Sequence, residues 1–272
     1  MQRIRLRYTK RGRLRFTSHR DFQRAFERAL RRADVPMAYS AGFTPHPKVS
    51  YANAAPTGVG SEAEYLEIGL ARTCDPEPLR RLLDESLPAG LDVIEAVEAH
   101  TAGLAERLEA SVWQVRLDGV TPQDARRAVA AFLAADTVEV QRGFKNGVRS
   151  FDCRAAVTRF EVVGADGVDD TAGPDPREVA DLLETDTNRT GAGPDRPQDS
   201  ACAILRLVVR HLTPAVRPDD VLSGLQVTAG LAPPVPAAVT RLAQGPLAEG
   251  SGTVTDPLAP DRDAVAVPAG SA

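Results

Sequence analysis

Strict alternation opens the chain. Between residues 2 and 8, Ile4, Leu6 and Tyr8 fall on one side and Arg3, Arg5 and Arg7 on the other. A period of two predicts a half-buried strand with an arginine row facing outward. The period then changes. Phe22, Ala25, Phe26, Ala29, Leu30 and Ala33 recur at i, i+3 and i+4, which predicts a helix over 19–34 with Thr17 or Ser18 as its N-cap. Arg20, Arg24, Arg28, Arg31 and Arg32 gather on roughly its opposite face. Alternation resumes over 64–70, a leucine stripe (Leu79, Leu82, Leu83, Leu87) predicts a helix over 76–87, and 91–97 reads as extended. Strand, helix, strand, helix, strand is the order of an α+β sandwich of ferredoxin-like type.

A comparable series follows. After a linker or short helix at 101–109, a strand is predicted over 111–117, holding Trp113, the single tryptophan. Thr121 and Pro122 then cap a helix over 121–135. Segments 138–141 and 148–153 flank a Phe144-Lys145-Asn146-Gly147 turn and read as a hairpin. The strongest buried-strand run is 201–210, and a short helix is expected at 218–225. The predicted fold class is therefore α+β: two ferredoxin-like (βαββαβ-type) halves with antiparallel sheets packed by helices. Residues 1–100 form the first half, with a long irregular loop at 35–61, and residues 101–232 form the second. Residues 164–200 carry ten acidic and three basic side chains and read as an insertion with one helical turn at 177–184. From 233 onward seven prolines and no sustained period predict a largely disordered tail.

Charge sharpens the picture. Residues 1–50 hold thirteen Lys or Arg against three Asp or Glu, although the whole chain carries a net charge of −4. A basic N-terminal face on an otherwise acidic chain points to a polyanion partner. No apolar run approaches the roughly 20 residues of a membrane span, and the basic N-terminus lacks an apolar signal-peptide centre. Cys74, Cys153 and Cys202 lie far apart with no C-x-x-C pair, which argues against a disulfide framework or a cysteine zinc site. The expectation is a cytoplasmic protein away from membranes, with no metal and no cofactor.

The densest chemistry lies in 39–51. Pro45 and Pro47 stiffen the backbone around His46, and Gly42 permits a tight bend. Tyr39, Phe43 and Tyr51 are candidates to stack on bases, with His46 and Lys48 at the centre and Arg3, Arg5, Arg7, Arg20, Arg24 and Arg28 positioning phosphates. The competing reading is that the aromatics cap the sheet and the loop is simply well packed. His19 and His46 form a candidate acid–base pair for RNA cleavage, because imidazole titrates near neutrality; against this, a first-turn histidine often bonds only to backbone or to a carboxylate such as Asp21. Glu62, Glu64 and Glu67 offer carboxylates for a metal or for acid–base work, but a salt-bridge row against the arginines of the first strand is the simpler expectation. No phosphate loop, dinucleotide fingerprint, H-E-x-x-H or G-x-S-x-G occurs.

Phe16-Thr17-Ser18-His19-x-Asp21, Arg28-Ala29-x-Arg31-Arg32-Ala33, Tyr39-Ser40-x-Gly42-Phe43-x-Pro45-His46-Pro47-Lys48 and Glu64-Tyr65 together resemble the bacterial radical-SAM-associated domain of unknown function. Val216-Arg217-Pro218-Asp219-Asp220-Val221-Leu222 and Arg241-Leu242-x-Gln244-Gly245 resemble later blocks of that family, so the likeness spans about residues 2–247 apart from the acidic insertion. Members are fused to a radical SAM protein or encoded beside one, often near ribonuclease E/G. The resemblance implies a separate radical SAM partner, because this chain lacks the C-x-x-x-C-x-x-C set that holds the iron–sulfur cluster. The resulting expectation is an accessory protein that binds tRNA or ribosomal RNA and presents it to that enzyme. Two rivals stand beside it. One is a metal-independent endoribonuclease using His19 and His46, since the paired halves are also similar to the RAMP endoribonucleases at fold level. The other is a protein-interaction module whose arginine face docks an acidic partner without RNA.

Overall fold

The computed structural model describes residues 1–144, 147–163 and 201–266. The acidic insertion, with the helical turn expected in it, and Lys145 and Asn146 of the expected hairpin turn lie outside the described residues. The chain divides into two units, Met1–Ser111 with Thr240–Ala272, and Val112–Val239. The division differs from the expected 1–100, 101–232 and 233–272 chiefly in returning the C-terminal segment to the N-terminal unit.

In the first unit the alternating segment forms strand β1 (Gln2–Lys10), followed by helix α1 (His19–Arg32), β2 (Val49–Ala52), β3 (Gly60–Leu70), helix α2 (Pro76–Ser86) and β4 (Val93–Glu98). β1 lies between β3 and β4, antiparallel to both, with Leu6 opposite Leu66 and Ala96. β2 pairs antiparallel with β3, Tyr51 opposite Leu66. The order β4-β1-β3-β2 on a βαββαβ chain is the expected ferredoxin-like arrangement. α1 begins where Ser18 accepts the Asp21 N–H through its hydroxyl at 3.2 Å, and α2 where the Asp75 carboxylate accepts the Glu77 N–H at 3.1 Å; each caps a backbone donor that the helix leaves unsatisfied. Phe22, Phe26 and Leu30 of α1 and Leu79 and Leu83 of α2 pack with Ile4, Leu6, Tyr8, Leu66 and Ile68 on one sheet face.

The other face of this sheet is covered as well. Ala63, Tyr65 and Val97 pack there with Ala52, Leu104, Leu108 and Leu258. Leu258 comes from the segment expected to be a disordered tail. Residues 238–266 instead carry strand β10 (Ala238–Gly245) and helix α5 (Ala259–Ala266), leaving only 267–272 outside the described residues. Thr240 and Arg241 of β10 run parallel to Gly60 and Ser61, extending β3 beyond the stretch that β2 occupies. The turn after β10 is tight: a Cβ on Gly245 would stand 2.0 Å from the Thr255 carbonyl oxygen.

The second unit repeats the logic with β5 (Ala110–Asp118), helix α3 (Pro122–Ala134), β6 (Glu139–Phe144), β7 (Gly147–Asp152), β8 (Val157–Val163), β9 (Cys202–Arg210) and helix α4 (Pro218–Ala229). Its sheet runs β5-β9-β8, with β8 antiparallel to β9 and Phe160 opposite Leu207. β6 and β7 form the expected hairpin as a separate two-stranded sheet. Phe132 of α3 meets Phe160 edge-on at 5.5 Å. Gly224 lets α4 come close, since a Cβ there would lie 2.7 Å from the Phe132 ring. No helix appears at 101–109, where bends and turns stand instead.

Candidate functional site

The arginines separate into two classes. Arg5 was expected on an open row, but its side chain is completely buried: it donates to Glu67 at 3.0 Å and to the Thr101 carbonyl at 2.7 Å, and pairs with Asp261. Asp261 also accepts the backbone N–H groups of His100 and Thr101. Burial pushes its carboxyl up, but hydrogen bonds from Thr101 and Arg5 outweigh this and hold it below the usual carboxylate range. Arg3 is exposed yet lies 3.3 Å from Glu67, and Arg7 donates to the Glu62 carbonyl at 3.0 Å. The physical reason is that α5 and the segment after β4 cover this sheet face, so of the row that alternation placed opposite the core, Arg5 is enclosed fully and Arg7 in part. The expected salt-bridge row forms only in part: Glu67 pairs with Arg3 and Arg5 of β1, but Glu62 pairs with Arg11 just beyond that strand and Glu64 with Arg241. The Glu62 hydrogen bond raises the Arg11 pKa.

The α1 arginines are different. Arg20, Arg24, Arg28 and Arg31 are all exposed. Arg24 approaches Asp21 only at 4.0 Å with both side chains more than 60% exposed, a contact of little energetic weight. At spacings of four, four and three they line one helix face about 17 Å long.

The 39–51 loop is built rather than slack. Met37 bridges Leu70 and Tyr39 bridges Pro47. The Ala38 N–H donates to the Gly69 carbonyl at 2.8 Å, the Lys48 N–H to the Ala38 carbonyl at 2.8 Å, and the Ser40 N–H to the His46 carbonyl at 2.9 Å. This ribbon presents residues 40–46 at its tip, with Phe43 fully exposed, Tyr39 55% exposed and His46 exposed. Lys48 is exposed beside the Met1 sulfur. Tyr51 turns inward, edge-on to Phe22 at 5.9 Å and to His19 at 5.0 Å. Of the three loop aromatics, Tyr51 therefore packs on the sheet while Tyr39 and Phe43 stand free of it. His19 contacts Tyr51 and Gln23, whereas the His46 N–H is held by the Ser40 hydroxyl. Each histidine answers to its own neighbours.

His19 and Tyr51 wall an open pocket of 380 Å³ completed by Ala54, Ala55, Pro56 and Thr57. Behind that loop lies a buried ionic group. Glu64 accepts the Ala55 N–H at 2.9 Å and pairs with Arg241 at 3.2 Å, Arg241 donates to the Asn53 carbonyl at 2.7 Å, and the Lys10 ammonium lies 3.4 Å from the Pro56 carbonyl. Gln244 joins Asn53 at 3.0 Å and the Ala63 carbonyl at 2.6 Å. Burial lowers the Lys10 pKa and raises that of Tyr8. The pocket loop is thus fixed from beneath by Lys10, Glu64, Arg241 and Gln244, the last two from β10.

Phe16, 60% exposed under the Arg15 guanidinium at 4.7 Å, belongs to the same surface. Arg241 and Gln244 entered the sequence reading only as parts of a block; their partners lie 177 and 191 positions away, beyond any local signal. Among the described residues no three His, Cys, Asp or Glu side chains are grouped to hold a metal ion, and no helix is long and apolar enough to cross a membrane.

A family model described as an uncharacterized protein conserved in bacteria (DUF2344) matches residues 3–218. No curated protein matches the chain.

Proposed function

We propose, from the premise that the chain belongs to this bacterial family, that it is an accessory protein binding tRNA or ribosomal RNA. The observation that carries the reading is the division among its arginines. Those of β1 are spent on Glu67, Glu62 and Asp261, while Arg20, Arg24, Arg28 and Arg31 stand along one exposed helix face with, among the described residues, no ion pair closer than 4.0 Å. Uncompensated guanidinium groups in a row attract a phosphate backbone. Phe16, Tyr39 and Phe43 add exposed rings able to stack on unpaired bases, which favours single-stranded or looped RNA over a uniform duplex. His46 and Lys48 lie within the exposed ribbon that carries two of those rings.

A separate radical SAM enzyme as the recipient of that RNA is supported by the family resemblance of the sequence blocks. The test is crosslinking of tagged protein to RNA in its native cell, followed by purification with and without nuclease. Crosslinks at 39–51 and α1 to one RNA class are expected, with a radical SAM protein recovered beside it. A stoichiometric protein complex that survives nuclease, with no RNA enriched, would replace RNA by an acidic protein partner.

A further inference from the structure

We propose that the pocket between His19, Tyr51 and the 54–57 loop receives one unpaired nucleobase of the bound RNA, an inference that rests on the RNA-binding reading above. Its walls are mostly apolar and ring-shaped. Tyr51 and His19 meet at an interplanar angle of 84°, so a base entering beside them can face one ring and abut the edge of the other. Ala54, Ala55 and Pro56 add apolar lining, and His19 and Thr57 add polar atoms. The 380 Å³ volume lies near the low end of the roughly 300–1,000 Å³ found for small-molecule sites, suited to one ring system rather than an extended ligand.

Charge favours a nucleotide over an uncharged aromatic ligand. Arg20 follows His19 directly on α1, and the Arg15 carbonyl holds the Gly58 N–H at 2.7 Å beside Thr57. Arg15 and Arg20, both exposed, thus belong to the chain segments next to the pocket lining, a basic setting suited to the phosphates on either side of an inserted base. Pre-organisation is a second argument. The Glu64 carboxylate, Arg241 and Lys10 hold Asn53, Ala55 and Pro56 by their backbone atoms, so the loop keeps its shape without a ligand and a base enters without ordering it.

The test uses a single-stranded octaribonucleotide carrying one 2-aminopurine, whose emission is quenched when the base stacks. The full chain should quench it on binding. His19→Ala, an exposed change, and Ala54→Trp, which fills the pocket, should each weaken binding about tenfold, as expected for one stacked base. Both should leave the salt dependence of the remaining binding intact, because the α1 arginines are unaltered. Full quenching and affinity in both variants would overturn the pocket while leaving RNA binding standing. If the wild-type chain binds no RNA, the earlier reading fails and 2-aminopurine riboside monophosphate becomes the probe. A saturable shift of the His19 ring resonances, lost in Ala54→Trp, would then support the pocket, and no shift would overturn it.

Discussion

Reversing the charge of two arginines on α1 tests the RNA reading at its centre. Arg20, Arg24, Arg28 and Arg31 form the exposed row, and if each neutralises one phosphate of a single strand, log K should fall against log salt with a slope of about −2.8. Between 50 and 200 mM salt that slope corresponds to about a fifty-fold loss of affinity. Arg24→Glu with Arg28→Glu removes two contacts, so the slope should drop to about −1.4 and the loss over the same range to about sevenfold. Binding at low salt should also collapse, since two carboxylates then oppose the phosphates. Folding should be almost unchanged: both side chains are exposed, and among the described residues the one ion pair lost is the 4.0 Å Arg24–Asp21 contact. The assay is fluorescence anisotropy of a labelled unstructured oligoribonucleotide across a salt series, with urea unfolding as control. A double variant that keeps its fold, affinity and slope would refute the assignment of phosphate contacts to α1.

Other outcomes follow from the same geometry. Arg5→Ala leaves Asp261 buried with one charge partner removed, and urea unfolding should show a loss of about 3–5 kcal/mol, against no more than about 0.5 kcal/mol for Arg20→Ala. Because the folded-state pKa of Asp261 is depressed, its contribution is present above the ordinary carboxylate pKa and is lost as pH falls through the folded value. Unfolding midpoints should accordingly drop on acidification, and less steeply in Asp261→Asn. Gly245→Ala must push the Thr255 carbonyl away from its 2.0 Å approach, and a loss of at least about 1–3 kcal/mol is expected by the same measurement. Burial pushes the Cys153 thiol up to about 12, so at pH 8 iodoacetamide should label the partly exposed Cys74 well before Cys153, as read by mass spectrometry.

Local pattern carried much of the architecture. Alternation located β1, a 3.6-residue period with Thr17 or Ser18 as cap located α1, the leucine stripe located α2, and the Thr121–Pro122 pair marked the start of α3. The expected ferredoxin-like order follows from those elements. β8 escaped notice because Val157, Phe160 and Val163, its buried residues, do not alternate. β10 and α5 escaped because proline-rich flanks and short elements look like a tail when no partner is in view.

The candidate site divides along the same line. That the N-terminal fifth is basic, that its arginines sit on one strand and one helix, and that an aromatic, proline-stiffened loop follows are properties of the sequence, because charge and period are local. Which of those arginines meet solvent was decided by tertiary structure. A period of two assigns side chains to two faces of a sheet but does not say what covers each face. Here the cover comes from residues up to 256 positions away: Asp261 encloses Arg5, and Arg241 and Gln244 brace the loop beside His19. Burying a guanidinium is costly unless a carboxylate arrives with it, and only the folded chain brings the two together.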